Sequence, residues 1–117
     1  MSRRSERVAD AIQQAVAELL LREIKDPRIG MVTITQCTMS PDLRHARIFF
    51  SCLGDESQRA ESLRGLTSAA GFIRSQLTRR LALRVAPDLA FEFDPGLEQS
   101  ERMARLLKNL EIQEAEE

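Results

Sequence analysis

The chain has 117 residues, 43% apolar and 30% charged, with a net charge of −1, which is enough for one continuous core but not for two. Five Phe and no Trp or Tyr leave too little aromatic surface for a sheet that stacks several bases on exposed rings. The near-neutral total hides an asymmetry: residues 1–84 hold 14 basic against 9 acidic side chains, and residues 85–117 hold 3 against 9. A basic body with an acidic end fits a nucleic-acid partner, and equally an ordinary domain with a solubilising tail.

In chain order, Ser5 is expected to cap a helix running to about Glu23. Its apolar face is Val8, Ile12, Val16, Leu19 and Leu20, with Arg3, Arg4, Arg7, Arg22 and Lys25 at its ends or on its polar side. Asp26-Pro27 ends it, because proline disfavours helical geometry in the residue before it. Met31 to Thr38 is rich in β-branched residues and reads as a strand, with Val32 and Ile34 on one face and Thr33 and Thr35 on the other. Ser40-Pro41-Asp42 is a turn signal. Leu43 to Leu53 alternates again, Ala46, Ile48, Phe50 and Cys52 against Arg47, Phe49, Ser51 and Leu53, so the two strands should form an antiparallel hairpin.

A helical pattern resumes after Gly54-Asp55 through Leu63, Leu66, Ala70, Ile73, Leu77 and Leu81, and Pro87 breaks it. Leu89, Phe91 and Phe93 give a third strand that ends at Pro95-Gly96. Met103, Leu106, Leu107 and Leu110 recur at helical spacing in the remainder, which closes on the acidic EIQEAEE. The expected architecture is α+β: helices on one face of a three-stranded sheet, residues 1–96 forming the domain and 97–117 an acidic, partly helical tail with a disordered end.

Little in this pattern suggests catalysis. There is no G-x-S-x-G, Walker A or dinucleotide-binding glycine pattern. His45, the single histidine, begins a strand without a nearby acid and nucleophile, and Asp42 serves its turn. Cys37 and Cys52 lie in apolar strand-like runs without a CxxC pair, which excludes an ordinary zinc site and reads as two small hydrophobes. The N-terminal residues lack the apolar region of a signal peptide, and Glu6 and Asp10 interrupt their arginines, so the expected setting is a reducing cytoplasm.

The stretch Ser68 to Arg84 is the most informative. Ala70, Ile73, Leu77 and Leu81 share one helical sector, Arg74, Ser75, Thr78 and Arg79 lie opposite, and Arg80 flanks the stripe. No acid occurs from Ser62 to Ala86. Such a face can contact phosphates or can simply be solvated. Gly71 inside the helix costs about 1 kcal/mol relative to Ala, and the pattern permits a kink there without demanding one. Phe72 lies off the stripe: either a kink turns it inward or its ring is exposed and free to stack.

The segments RVADAIQQAVAELLLREIKDPRIGMVTIT, MSPDLRHARIFFSCLGD and AAGFIRSQLTRRLALRVAPDLAFEFD, in this order and spacing, closely resemble the ribosome-binding factor A family over roughly Arg3 to Leu107. The resemblance implies a KH-like (type II) domain of order α-β-β-α-kink-α-β, in which an Ala-x-Gly helix-kink-helix, here Ala69-Ala70-Gly71, replaces the usual GxxG loop. It implies a non-catalytic factor acting late in assembly of the bacterial small ribosomal subunit, bound to its rRNA near the 5′ end, aiding precursor processing and linked with cold adaptation. The implied partners are the small subunit, its rRNA and an assembly GTPase, with no cofactor, no membrane and a monomeric chain. On that basis the expected RNA contacts are Arg74, Arg79, Arg80 and Arg84 with backbone amides near Ala69, Ala70 and Gly71. Arg3, Arg4, Arg7, Arg44 and Arg47 are secondary candidates. A KH-like module for another RNA or single-stranded DNA, and a protein-interaction domain using a sheet edge or the tail helix, are the alternatives.

Overall fold

A computed structural model of the chain describes residues 3–96 and 106–108. The element order is α1 (Arg3–Arg22), β1 (Val32–Met39), β2 (His45–Cys52), α2 (Glu56–Arg80) and β3 (Asp88–Phe93). The strands form one sheet in the order β1-β2-β3. β1 and β2 are antiparallel, as the short turn demands, whereas β3 lies parallel to β2, with His45 opposite Asp88 and Phe50 opposite Phe93. A parallel neighbour requires a crossover, and α2 supplies it. This is the α+β, KH-like arrangement expected, with both helices over the same face of the sheet.

That face is the core. Ile34, Cys37 and Met39 from β1, Ala46, Ile48 and Phe50 from β2, and Phe91 from β3 meet Ile12, Val16 and Leu19 of α1 and Leu66, Ile73 and Leu77 of α2. Phe50 and Ile48 are completely enclosed, and burying each such side chain is worth about 1.5–3 kcal/mol. Strict alternation would put Ile34 and Cys37 on opposite faces. A bulge between Ile34 and Gln36 absorbs one residue, Thr35, and restores Cys37 to the core. Burial there pushes the Cys37 thiol up to about 11, so it behaves as a small hydrophobe, as the sequence suggested; Cys52 is half-buried.

The elements differ from their sequence outlines in instructive ways. α1 starts at Arg3, so Ser5 is a fully buried residue of the first turn rather than the cap. Asp55 caps α2, its carboxylate accepting from Gln58 N at 3.0 Å, so the helix begins well before the apolar stripe. The stripe itself is shifted. Leu63 lies at the surface, and Ser62 and Gly65 are buried in its place. The segment after α1 packs there: a Cβ on Gly65 would stand 2.6 Å from Ile29 Cγ1, so only glycine admits that approach.

The two helical segments implied on either side of a kink are one unbroken helix of 25 residues. Gly71 is exposed in its interior, with nothing within 4 Å of where a Cβ would be. Of the tail, only residues 106–108 are described; they are helical and exposed, and the remainder of the tail stripe and the acidic end lie outside the described residues. Among the described residues no helix is long and apolar enough to cross a membrane.

Candidate nucleic-acid interface

Two connections stand side by side at the end of the sheet where β2 and β3 begin. The first is the hairpin turn. Leu43 N donates to Ser40 O at 2.9 Å and Ser40 N donates to His45 O at 2.9 Å. Ser40 Oγ donates to Asp42 Oδ1 at 2.6 Å and Arg44 N donates to the same oxygen at 3.1 Å. These two donors hold the Asp42 carboxyl below the usual carboxylate range. The turn is thereby fixed, and Arg44 projects from its end.

The second is the link from α2 to β3. Ala82 N donates to Arg79 O and Leu83 N to Thr78 O, at 3.4 and 3.1 Å, the Schellman pattern that satisfies the last carbonyls of a helix. Arg74 clasps the far side of the link: Nε donates to Pro87 O at 3.0 Å and Nη2 to Ala86 O at 2.9 Å, with Asp88 Oδ1 at 3.4 Å. Arg84 stands on this clamped loop.

Between the two connections, closed on the third side by the first turn of α1, is a groove of about 520 Å³. Arg4, Arg44 and Arg84 line it from three separate parts of the chain, beside apolar side chains that include Val8, Leu81 and Val85. None of the three arginine side chains has a hydrogen-bond or ion-pair partner among the described residues. The one acid in the groove is Asp42, already occupied by its turn. The groove also holds both non-glycine residues of positive φ found among the described residues, Leu43 (61°) and Ala82 (50°). Glycine is the ordinary occupant of both positions. Keeping a side chain there costs on the order of 1–2 kcal/mol each, and such strain concentrates where a surface is used.

The arginines predicted from sequence therefore divide by what holds them. Arg4, Arg44 and Arg84 converge on the groove; Arg3 and Arg7 are exposed on the same first turns of α1. Arg79 is exposed without a partner among the described residues. Arg80 reaches back to α1 and the turn that follows it, with Nη1 3.6 Å from Glu18 Oε2 and Nη2 3.0 Å from Glu23 Oε1, so two carboxylates already balance its charge. Arg47 is bound through Nε and Nη2 to Glu92 on the open face of the sheet, and Arg74 is committed to the loop carbonyls. The amides of Ala69, Ala70 and Gly71 are not an anion site: within a continuous helix each donates to the carbonyl four residues back, and free amides exist only in the first turn.

Two features escaped the sequence. The strained Leu43 and Ala82 carry no signal beyond their place in turns. A second, smaller groove of about 290 Å³ is lined by Lys25, Ser68, Ala69 and Phe72 among others, and the Phe72 side chain there is exposed.

The comparisons agree with this architecture. A curated ribosome-binding factor A of Desulforamulus reducens is 47% identical over 115 residues, 98% of this chain and 96% of that protein. A solution structure of a Thermotoga maritima protein, described as a putative ribosome binding factor A, aligns with a TM-score of 0.70 at 32% identity, covering 79% of this chain and 88% of that one. A Thermus thermophilus ribosome binding factor A, fitted as a homology model into a cryo-EM map of its complex with the 30S subunit, shares the fold at a TM-score of 0.63 and 24% identity, over 74% of this chain and 91% of its own. The family profile described as Ribosome-binding factor A matches residues 4–107, and the chain belongs to that family.

Proposed function

We propose that this chain is a non-catalytic assembly factor that binds the small ribosomal subunit through its rRNA, near the 5′ end, and promotes late maturation and precursor processing. The observation that carries the reading is the groove lined by three arginines, from α1, the hairpin turn and the α2–β3 link, none of which has a side-chain partner among the described residues. A guanidinium suits phosphate better than an ammonium, since its planar fork can meet two oxygens at once. Arginines held on three different segments at fixed spacing match a folded RNA backbone rather than a single free anion. Contacts to phosphate position a protein on its RNA, and shape then does most of the selection. The Thermus thermophilus relative seated on the 30S subunit supports the same partner. Cold adaptation, an assembly GTPase, a monomeric state and a cytoplasmic setting belong to the same reading by family resemblance.

The test is the salt dependence of binding to small-subunit rRNA. Each phosphate contact contributes about 0.7 (single strand) to 0.9 (duplex) to the slope of log K against log salt. Arg4→Ala, Arg44→Ala and Arg84→Ala should each lower the slope by about that much, which at about 0.1 M salt is a 5- to 8-fold loss of affinity. Arg80→Ala, whose charge Glu18 and Glu23 already balance, should leave the slope unchanged. An unchanged slope in the triple groove variant, or no cosedimentation of the wild-type protein with small subunits at low salt, would sink the reading.

A further inference from the structure

We infer that the cleft between α2 and the segment leaving α1 is a slot for one unpaired RNA base, stacked on Phe72 with its phosphate on Lys25. The inference rests on the RNA-binding reading above, but on a different part of the surface. Of the five phenylalanines, only Phe72 is exposed, at 45%. Phe50 and Phe91 are buried, Phe93 is covered by Arg59 and packs edge-on against Phe50, and the guanidinium of Arg47 sits over Phe49. The Phe72 ring has no aromatic or cationic partner among the described residues.

The ring lines a shallow, open depression of about 290 Å³ together with Ile24, Ser68 and Ala69, room for one flat ring system laid against the surface. Two acids lie at its rim, and both are already satisfied. Glu23 is paired with Arg80, and Asp26 accepts Nε and Nη2 of Arg28. Lys25, between them in sequence, is exposed and unpaired among the described residues, so the cleft presents one uncommitted positive charge beside one uncovered ring. A ring for stacking and a cation for one phosphate are the parts of a single-nucleotide site on single-stranded RNA. An apolar protein side chain would use the ring but not the lysine.

The probes are an eight-residue adenosine RNA and the same ribose-phosphate chain without bases, titrated against the full-length protein by fluorescence anisotropy. Wild type should bind the base-bearing oligomer more tightly, by about 5- to 150-fold, the range of one base–aromatic stack. Phe72→Ala should erase that preference while leaving the affinity for the baseless chain as it was; Phe72→Trp should keep it. Phe72 is half-exposed, so the alanine variant folds, and circular dichroism checks this. Equal binding of both oligomers by wild type overturns the slot but not the RNA-binding reading. Failure of both to bind at low salt, while the protein still cosediments with small subunits, likewise overturns the slot and leaves the RNA-binding reading standing. If Phe72→Ala keeps the base preference yet weakens binding to intact small subunits, the ring meets protein and the inference fails.

Discussion

Replacing Gly71 with alanine asks whether α2 runs unbroken through the position where family resemblance implied a kink. In a continuous α-helix an interior glycine is about 0.8–1.0 kcal/mol less favourable than alanine. Nothing lies within 4 Å of the added methyl, so no clash offsets the gain. Gly71→Ala should therefore raise the unfolding free energy by close to that amount, which for a domain of this size is about 4–8 °C in Tm. Gly65 is the internal control on the same helix. Its methyl would stand 2.6 Å from Ile29 Cγ1 and 3.4 Å from Arg28 Cβ, and overpacking of that kind costs about 1–3 kcal/mol, enough to cancel or exceed the same propensity gain. Urea unfolding followed by circular dichroism would measure both. A destabilised Gly71→Ala protein would refute the continuous helix, since only a backbone conformation that alanine resists could produce it. A variant that is more stable but has lost affinity for small-subunit rRNA would mark the bare backbone as a contact, with stability given up for binding.

Two further expectations concern what holds the interface in place. Arg74→Ala should lower the unfolding free energy by about 1–2 kcal/mol, a charged hydrogen-bond pair discounted for its partial exposure. It should also weaken rRNA binding by loosening the loop that carries Arg84. Arg74→Lys should not restore either property, because an ammonium cannot reach Ala86 O and Pro87 O together as the fork does; urea unfolding and anisotropy read the two effects. Asp26 accepts from Arg28 through its backbone N, Nε and Nη2, and the side-chain bonds first, then the backbone bond, hold its carboxyl below the ordinary range. A lowered carboxyl contributes stability above its unfolded pKa, near 3.9, and loses it as pH falls through the lowered folded value. The stability gap between wild type and Asp26→Asn should thus be full at neutral pH and close in acid, which thermal melts across pH would show.

The elements were legible because each one's periodicity is set by its own residues: the alternation in β2, the stripe in α1, the Pro-Asp turn at 41–42. What escaped was set by partners far along the chain. Nothing near Thr35 signals that one residue must bulge to return Cys37 to the core. Leu63 continues the stripe by spacing, yet Ser62 and Gly65 are buried because Arg28 and Ile29 pack on that side. The arginines teach the same lesson. Arg74, Arg79 and Arg80 look alike in sequence. The carbonyls 12 and 13 residues away hold Arg74, and a glutamate 57 residues away holds Arg80. Arg84 was legible only as a charge past a helix end; its nearness to Arg4 and Arg44 follows from the parallel pairing of β3 with β2, which no local pattern encodes.

That parallel pairing also sets an order in time. The β1–β2 hairpin closes over a short turn, but β3 can join β2 only after α2 has spanned the sheet, so its contacts carry the larger loop-closure cost and are the natural candidates to form late. Arg44 and Arg84 are brought together by that last step. A partly folded chain, even one with both helices and the hairpin in place, has no groove. RNA that grips the groove therefore binds the finished protein and not its precursors, and by mass action it stabilises that finished form alone. A pulse of rRNA added during refolding would consequently report the docking of β3, with a lag that the hairpin and helices do not show.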